Sequence, residues 1–384
     1  MKNLALYTLL FLQLFGCTIN SPQTPNDNIP PNVVITPEDE VILPDDEDRA
    51  MFYEFEEEAL NLLEKMTIEE KIGQLFLARC PEDENLSLYL SMNPGGFIMF
   101  GRDFTDKTKE QVINNINYYQ ENSDIPMIIG VDEEGGTVVR VSSNPDLAGE
   151  RFKSPQELYN AGGFEEIIID TTEKSKLLKS LGINLNLNPV ADVSTNAEDF
   201  IFNRSFGRSA EETAEYVKIV VETAKKNNIS STLKHFPGYG NNVDTHTGSA
   251  YDERPYEEFL RSDFIPFKSG IDAGAESILV SHNIVKSLDA ENPASLSKKV
   301  IDILRNNMEF TGIIMTDDLS MGAVSETASP EVMAVLAGND MLIVSDLEKS
   351  YNELLSAVLQ GVISEDRIDE SVLRILKWKL SMSS

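Results

Sequence analysis

Gly312-Ile-Ile-Met-Thr-Asp317-Asp318-Leu-Ser-Met321 is an apolar run of strand length that ends in two adjacent carboxylates. Outward from it, the chain repeats one pattern, a short β-branched run followed by an amphipathic stretch. Strand-like runs occur at Gly73–Ala78, Gly96–Phe100, Pro126–Val131, Ile183–Pro189, Ser231–His235, Ser277–Ser281, Gly312–Thr316 and Asp340–Ser345. Between most of them lie segments with a period near 3.6, at Lys107–Asn122, Thr171–Leu181, Glu211–Asn227, Tyr256–Ala273 and Ser297–Asn307. Strand–helix alternation implies parallel strands with right-handed crossovers. Eight such units within about 330 residues predict an α/β fold, a (β/α)8 TIM-type barrel formed as one domain over residues 51–384. An open doubly wound sheet would require a glycine-rich phosphate turn after the first strand, and Ala78-Arg79-Cys80-Pro81 supplies none.

The 384 residues carry 64 acidic and 32 basic side chains, a formal net charge of -32. Nucleic-acid binding depends largely on Lys and Arg neutralising phosphates, so this balance argues against a polyanionic partner. Two cysteines in unlike contexts, Cys17 and Cys80, predict no disulfide framework. Residues 1–16 hold one Lys, an apolar stretch from Leu4 to Phe15 and a small Gly16 directly before Cys17. Such a run is shorter than the roughly 20 residues that span a bilayer, and it reads as a lipoprotein signal peptide with Cys17 as the lipidated first mature residue. Residues 17–50, rich in proline and acid, read as a disordered tether from that lipid to the barrel. The resulting expectation is an exported bacterial lipoprotein, periplasmic or cell-surface, that meets the membrane through its lipid anchor alone.

A barrel of this kind places reactive groups at strand C-termini. The third strand runs into Val131-Asp132-Glu133, the fifth into Lys234-His235, the sixth into Ser281-His282 and the seventh into Thr316-Asp317-Asp318. Asp317, closest to its strand, can attack an electrophilic carbon, whereas Asp318 is equally well placed to cap the following helix. In the loop after strand five, Asp244 and His246 are separated by one residue, so an extended backbone puts both side chains on one side. A carboxylate beside an imidazole orients it and raises its basicity, as general acid–base work requires. Arg140 and Arg204, in turn-rich surroundings, join Lys234 as donors to a polyhydroxylated or anionic ligand. His235, His246 and His282 lack the tight spacings of zinc sites, so no metal and no cofactor are expected. Trp378, in the amphipathic stretch Ile368–Leu380, reads as a packing residue.

These segments together resemble glycoside hydrolase family 3, in its single-domain β-N-acetylglucosaminidase branch. The matching stretches are Met66–Leu75, Gly130-Val-Asp-Glu-Glu-Gly-Gly136 with Arg140, Asn203-Arg-Ser-Phe-Gly207, Lys234-His-Phe-Pro-Gly238, Asp244-Thr-His246, Thr316–Met321 and Ala337–Leu342. The resemblance implies a barrel enzyme that removes terminal β-linked N-acetylglucosamine with retention, from peptidoglycan fragments or chitin-like oligosaccharides, through a covalent glycosyl-enzyme intermediate. It makes Asp317 the nucleophile, His246 the general acid/base and Asp244 its orienting partner. Asp132, Arg140, Arg204, Lys234 and His235 correspond to sugar-binding residues, with Met321 nearby. Most retaining glycosidases use two carboxylates, so a histidine acid/base departs from the usual pair. Glu133, Tyr239 and Asn241 stand where the branch commonly has Gln, His and Asp. Competing expectations are a family 3 phosphorylase, a β-glucosidase, and a lipid-anchored sugar-binding protein without catalysis.

Overall fold

The computed structural model describes residues 50–240, 250–324 and 327–383. The expected signal peptide, Cys17 and tether lie outside the described residues, and so do Asp244 and His246.

Among the described residues, eight strands share one sheet: β1 (Phe76–Arg79), β2 (Gly96–Met99), β3 (Ile128–Val131), β4 (Leu185–Asn186), β5 (Ser230–Phe236), β6 (Ser277–Val280), β7 (Ile313–Thr316) and β8 (Leu342–Val344). Their order is β8-β1-β2-β3-β4-β5-β6-β7, and every neighbouring pair is parallel. A parallel bridge between Met315 and Met341 joins the two ends, with Thr316 N donating to Met341 O at 3.1 Å. The sheet thus closes on itself, as expected of a (β/α)8 barrel rather than an open doubly wound sheet. No helix among the described residues is long and apolar enough to cross a membrane.

Three expected boundaries move, each for a physical reason. The run at Gly73–Ala78 divides, because Gly73 and Gln74 complete the helix Ile68–Gln74, which Thr67 and Glu70 open with a capping box. A Cβ on Gly73 would lie 2.0 Å from Met92 O, so only glycine lets this helix meet the chain that enters β2. The helix expected at Thr171–Leu181 begins at Pro155 and kinks at Gly162 and Gly163, the latter at φ +69°. The stretch Tyr256–Ala273 forms two helices, Tyr256–Arg261 and Phe264–Asp272, parted where the Asp263 carboxylate meets Arg254 at 2.9 Å.

Strand side chains alternate between two cores, as the period of two requires. Leu77, Ile98, Ile128, Leu185, Leu279, Ile313, Met315 and Ile343 fill the barrel interior, while Phe76, Ala78, Phe97, Met99, Ile129 and Val131 pack outward against helices. The interior cluster also takes Ile375 and Trp378 from the C-terminal helix Glu365–Ser383. Lys379 Nζ, one residue on, donates to Gln74 Oε1 at 2.6 Å just before β1, which sets this helix across the N-terminal end of the barrel. Trp378 is therefore the plug of that end, fully buried. Trp378→Ala should cost about 3–5 kcal/mol of stability in urea denaturation through the cavity it leaves. An unchanged midpoint would mean that the helix does not close the barrel.

Candidate active site

Two residues beyond the interior layer, the same alternation turns a second set of side chains into the C-terminal mouth: Arg79 after Leu77, Phe100 after Ile98, Asp132 after Gly130, Lys234 after Thr232, Ser281 after Leu279 and Asp317 after Met315. Chemistry thus sits directly above packing, and each reactive group stands on a strand end whose backbone is tied on both sides.

Lys234 is at the centre. It is only 2% exposed, and its Nζ meets Asp132 Oδ1 at 2.7 Å and Glu134 Oε1 at 2.6 Å. Glu134 also accepts from Arg204 Nε at 3.0 Å and Nη2 at 2.7 Å. Burial alone would raise the Glu134 carboxyl, but the Arg204 and Lys234 charges outweigh it and hold the group well below the usual carboxylate range. Arg140 Nη2 completes the cluster at 3.5 Å from Asp132 Oδ2. Among the described residues Arg204 bonds through Nε and Nη2, which leaves its Nη1 for a ligand.

His235 is held from both sides. Asp192 Oδ2 lies 2.7 Å from its Nδ1 and accepts from its backbone N–H at 3.0 Å, while Oδ1 accepts from Tyr239 N at 2.7 Å. Arg204 can only donate, so its contact at 3.1 Å makes His235 Nε2 the acceptor and places the ring proton on Nδ1, facing Asp192. Asp192 thereby fixes the end of β5 and the start of the loop that carries Asp244 and His246. Tyr239 packs edge-on against the His235 ring at 5.1 Å.

The pair after β7 divides its work. Asp318 Oδ1 accepts from Ser320 N at 2.9 Å and Oδ2 from Ser345 Oγ at 2.8 Å. Its carboxylate caps a turn rather than a helix, since the next helix starts only at Pro330. Asp317 N donates to Val280 O at 3.0 Å, and its Oδ1 accepts from Asp318 N at 2.8 Å. His282, completely buried, contacts Ser295 Oγ at 2.7 Å through Nδ1 and Asp318 O at 3.0 Å through Nε2. A carbonyl only accepts, so Nε2 carries the proton and braces the backbone beside Asp317. Met321 is buried in the same turn, its N donating to Asp318 O at 3.0 Å.

Three contributors have roles that the motifs do not announce. Glu133 is fully buried and its carboxylate gathers Arg140 N at 2.8 Å, Val141 N at 2.7 Å, Ser142 N at 3.2 Å and the Ser142 hydroxyl, folding the loop that delivers Arg140. All four partners donate, and a carboxylate satisfies them better than an amide, which accounts for Glu rather than Gln here. Glu134 and Asp192 are the others, and the position of Asp192 just past β4 was the available signal. Cys80, by contrast, is buried against Tyr119, and burial together with the Asp103 charge pushes its thiol up to about 12, which suits an inert side chain. Among the described residues no group of three or more His, Cys, Asp or Glu converges as a metal site would require.

The family model for the glycosyl hydrolase family 3 N terminal domain matches residues 67–378. The chain belongs to glycoside hydrolase family 3. A β-hexosaminidase of Xylella fastidiosa is 32% identical over 274 residues, covering 68% of this chain and 79% of that protein. The β-hexosaminidase LpqI of Mycobacterium tuberculosis is 28% identical, with 66% and 68% covered. Among solved structures, a family 3 β-N-acetylglucosaminidase from Paenibacillus superposes with a TM-score of 0.76 at 29% identity, over 83% of this chain and 64% of that one. The family 3 barrel therefore spans β1 to the C-terminal helix, and the charge cluster at its mouth lies wholly within the matched region.

Glu134→Gln should leave Lys234 and Arg204 short of a buried counter-charge, costing about 3 kcal/mol of stability and lowering kcat/KM by at least about tenfold through misplaced Lys234. Thermal melts and turnover near those of the wild type would sink this account of the cluster.

Proposed function

We propose that this chain is an exo-acting, retaining β-N-acetylglucosaminidase that takes terminal β-linked N-acetylglucosamine from peptidoglycan fragments or chitin-like oligosaccharides. The observation that carries the reading is the mouth layer itself: Asp132, Lys234 and Asp317 project from three strand ends of one barrel, with Asp318 committed to a turn. The names of the β-hexosaminidase relatives and the superposing β-N-acetylglucosaminidase support the choice of sugar.

In this reading Asp132, Arg140, Arg204 and Lys234 bind sugar hydroxyls, His235 holds Arg204 in place, and Met321 lines the turn beside them. The Asp317 carboxylate attacks the anomeric carbon as the bond to the leaving oxygen breaks, and His246 protonates that oxygen. Water then attacks the glycosyl ester, gives its proton to His246 and releases Asp317. Asp244 orients the imidazole. A histidine with an ordinary pKa of about 6.5 suits this two-way proton traffic at neutral pH.

Asp317→Asn should abolish hydrolysis of an aryl β-N-acetylglucosaminide with the fold intact, since it removes the attacking charge and keeps the side chain's shape. His246→Ala should slow natural substrates far more than activated aryl ones, and azide should restore turnover of the latter as a β-glycosyl azide. Near-normal activity of the Asn variant, or equal loss on both substrates without azide rescue, would overturn these assignments. In phosphate buffer the wild type should release the free sugar, whereas a sugar 1-phosphate would point to phosphorolysis.

The chain is further proposed to be an exported lipoprotein, anchored through Cys17 and set off from the membrane by the acidic tether of residues 17–50. Its apolar segment followed by Gly16-Cys17 supports this. Cys17→Ser should move the protein from the membrane pellet to the soluble fraction. A serine variant that still sediments with membranes would show that the lipid is not the anchor.

A further inference from the structure

Two guanidiniums share one aromatic ring on the β1–β3 side of the mouth. Arg79 closes β1, Phe100 follows β2, and Arg140 lies in the loop after β3. The Arg79 Cζ is 4.6 Å and the Arg140 Cζ 5.5 Å from the centre of the Phe100 ring. Each cation is attracted to the ring face, but the two charges repel one another.

Their counter-charge is thin. Among the described residues Arg79 makes no ion pair and no side-chain hydrogen bond, and its Nε is buried without a partner. Asp103 is near enough to feel its charge, yet that carboxylate accepts from Phe100 N at 2.7 Å and faces Arg102 Nε at 3.7 Å. Arg140 has Asp132 at 3.5 Å, but the same carboxylate holds Lys234 at 2.7 Å, and Arg140 Nε is likewise buried without a partner. A chain of net charge -32 has acid to spare for its cations. Packing on Phe100 alone would not require two guanidiniums, and desolvating an N–H that bonds to nothing costs free energy. An incoming oxyanion would relieve both penalties, because the planar guanidinium fork matches carboxylate and phosphate geometry.

We propose that Arg79 and Arg140, braced on Phe100, form an anion-binding subsite for a carboxylate or phosphate carried on the amino-sugar substrate, a proposal that rests on the glycosidase reading above. Arg140 joins the subsite to Asp132, so a sugar held at that carboxylate presents its substituents toward Arg79. The chain then selects acidic amino sugars over their neutral counterparts, and Arg79 is a specificity-determining residue.

The test compares the wild-type chain with Arg79→Gln on two matched pairs. One pair is an aryl β-N-acetylglucosaminide with and without a 6-phosphate. The other is N-acetylglucosaminyl-β-1,4-N-acetylmuramic acid, which bears a carboxylate, against the neutral dimer of N-acetylglucosamine. In at least one pair, the ratio of kcat/KM for the acidic over the neutral member should fall about tenfold in the Gln variant, with partial recovery in Arg79→Lys. The pair that responds identifies phosphate or carboxylate as the anion. In the wild type alone, added salt should raise KM for the acidic member of that pair more than for the neutral one. Ratios equal in variant and wild type for both pairs, or salt dependence alike for acidic and neutral members, would overturn the subsite while leaving the glycosidase intact. Failure of the wild type to cleave any of the four substrates would overturn the function and the subsite with it.

Discussion

A single ammonium group organises the mouth of this barrel. Lys234 lies almost without solvent between Asp132 and Glu134, and burying a charge is tolerable only where opposite charges and hydrogen bonds replace its water. That requirement brings two strand ends and a more distant loop together. Asp132 and Glu134 come from the β3 loop and Lys234 from β5, and Glu134 in turn recruits Arg204 from the segment before the helix Ala210–Lys226. Arg204 fixes the tautomer of His235, and His235 is tied to Asp192 beyond β4. Removing the lysine would leave two carboxylates facing each other in a buried space, and the loops that carry the remaining donors would lose their common reference.

A second constraint is that charged groups at the mouth must be positioned without giving up their function. The structure solves it with carboxylates that never face the ligand. Glu133 folds its loop around four donors, Asp192 sets β5 and the loop after it, and Asp318 closes the turn beyond Asp317. Glu133 and Asp318 each stand directly after another acid in the sequence, and within each pair the roles are opposite. Adjacent residues on an extended strand point to opposite sides, so of Asp132 and Glu133 one faces the mouth and the other faces its own loop. The same division separates Asp317 from Asp318.

Much of this was legible in the residues alone. Eight short β-branched runs separated by amphipathic helices demand parallel strands, and the lack of a glycine-rich turn after the first of them favours a closed barrel over an open doubly wound sheet. The placement of Asp132, Lys234, His235 and Asp317 at strand ends follows from the same count. What failed locally has physical causes. Gly73 and Gln74 look like strand because they adjoin an apolar run, yet the capping box at Thr67 carries the helix through them. The break at Ser262 depends on Arg254 reaching Asp263, a contact that no local pattern announces.

The sequence by itself determined the fold class, the strand order and the position of Asp132, Lys234, His235 and Asp317 at strand ends, because alternation and period are properties of neighbouring positions. Only the tertiary structure decided which acids face the mouth and which hold loops and turns, and that Arg79 shares a ring with Arg140. The reason is that ionic partnership depends on distance across the barrel. Lys234 and Asp132 are 102 residues apart in sequence and 2.7 Å apart in space, and burial, which sets the strength of that pair, is a property of the closed sheet and its packed helices rather than of either residue.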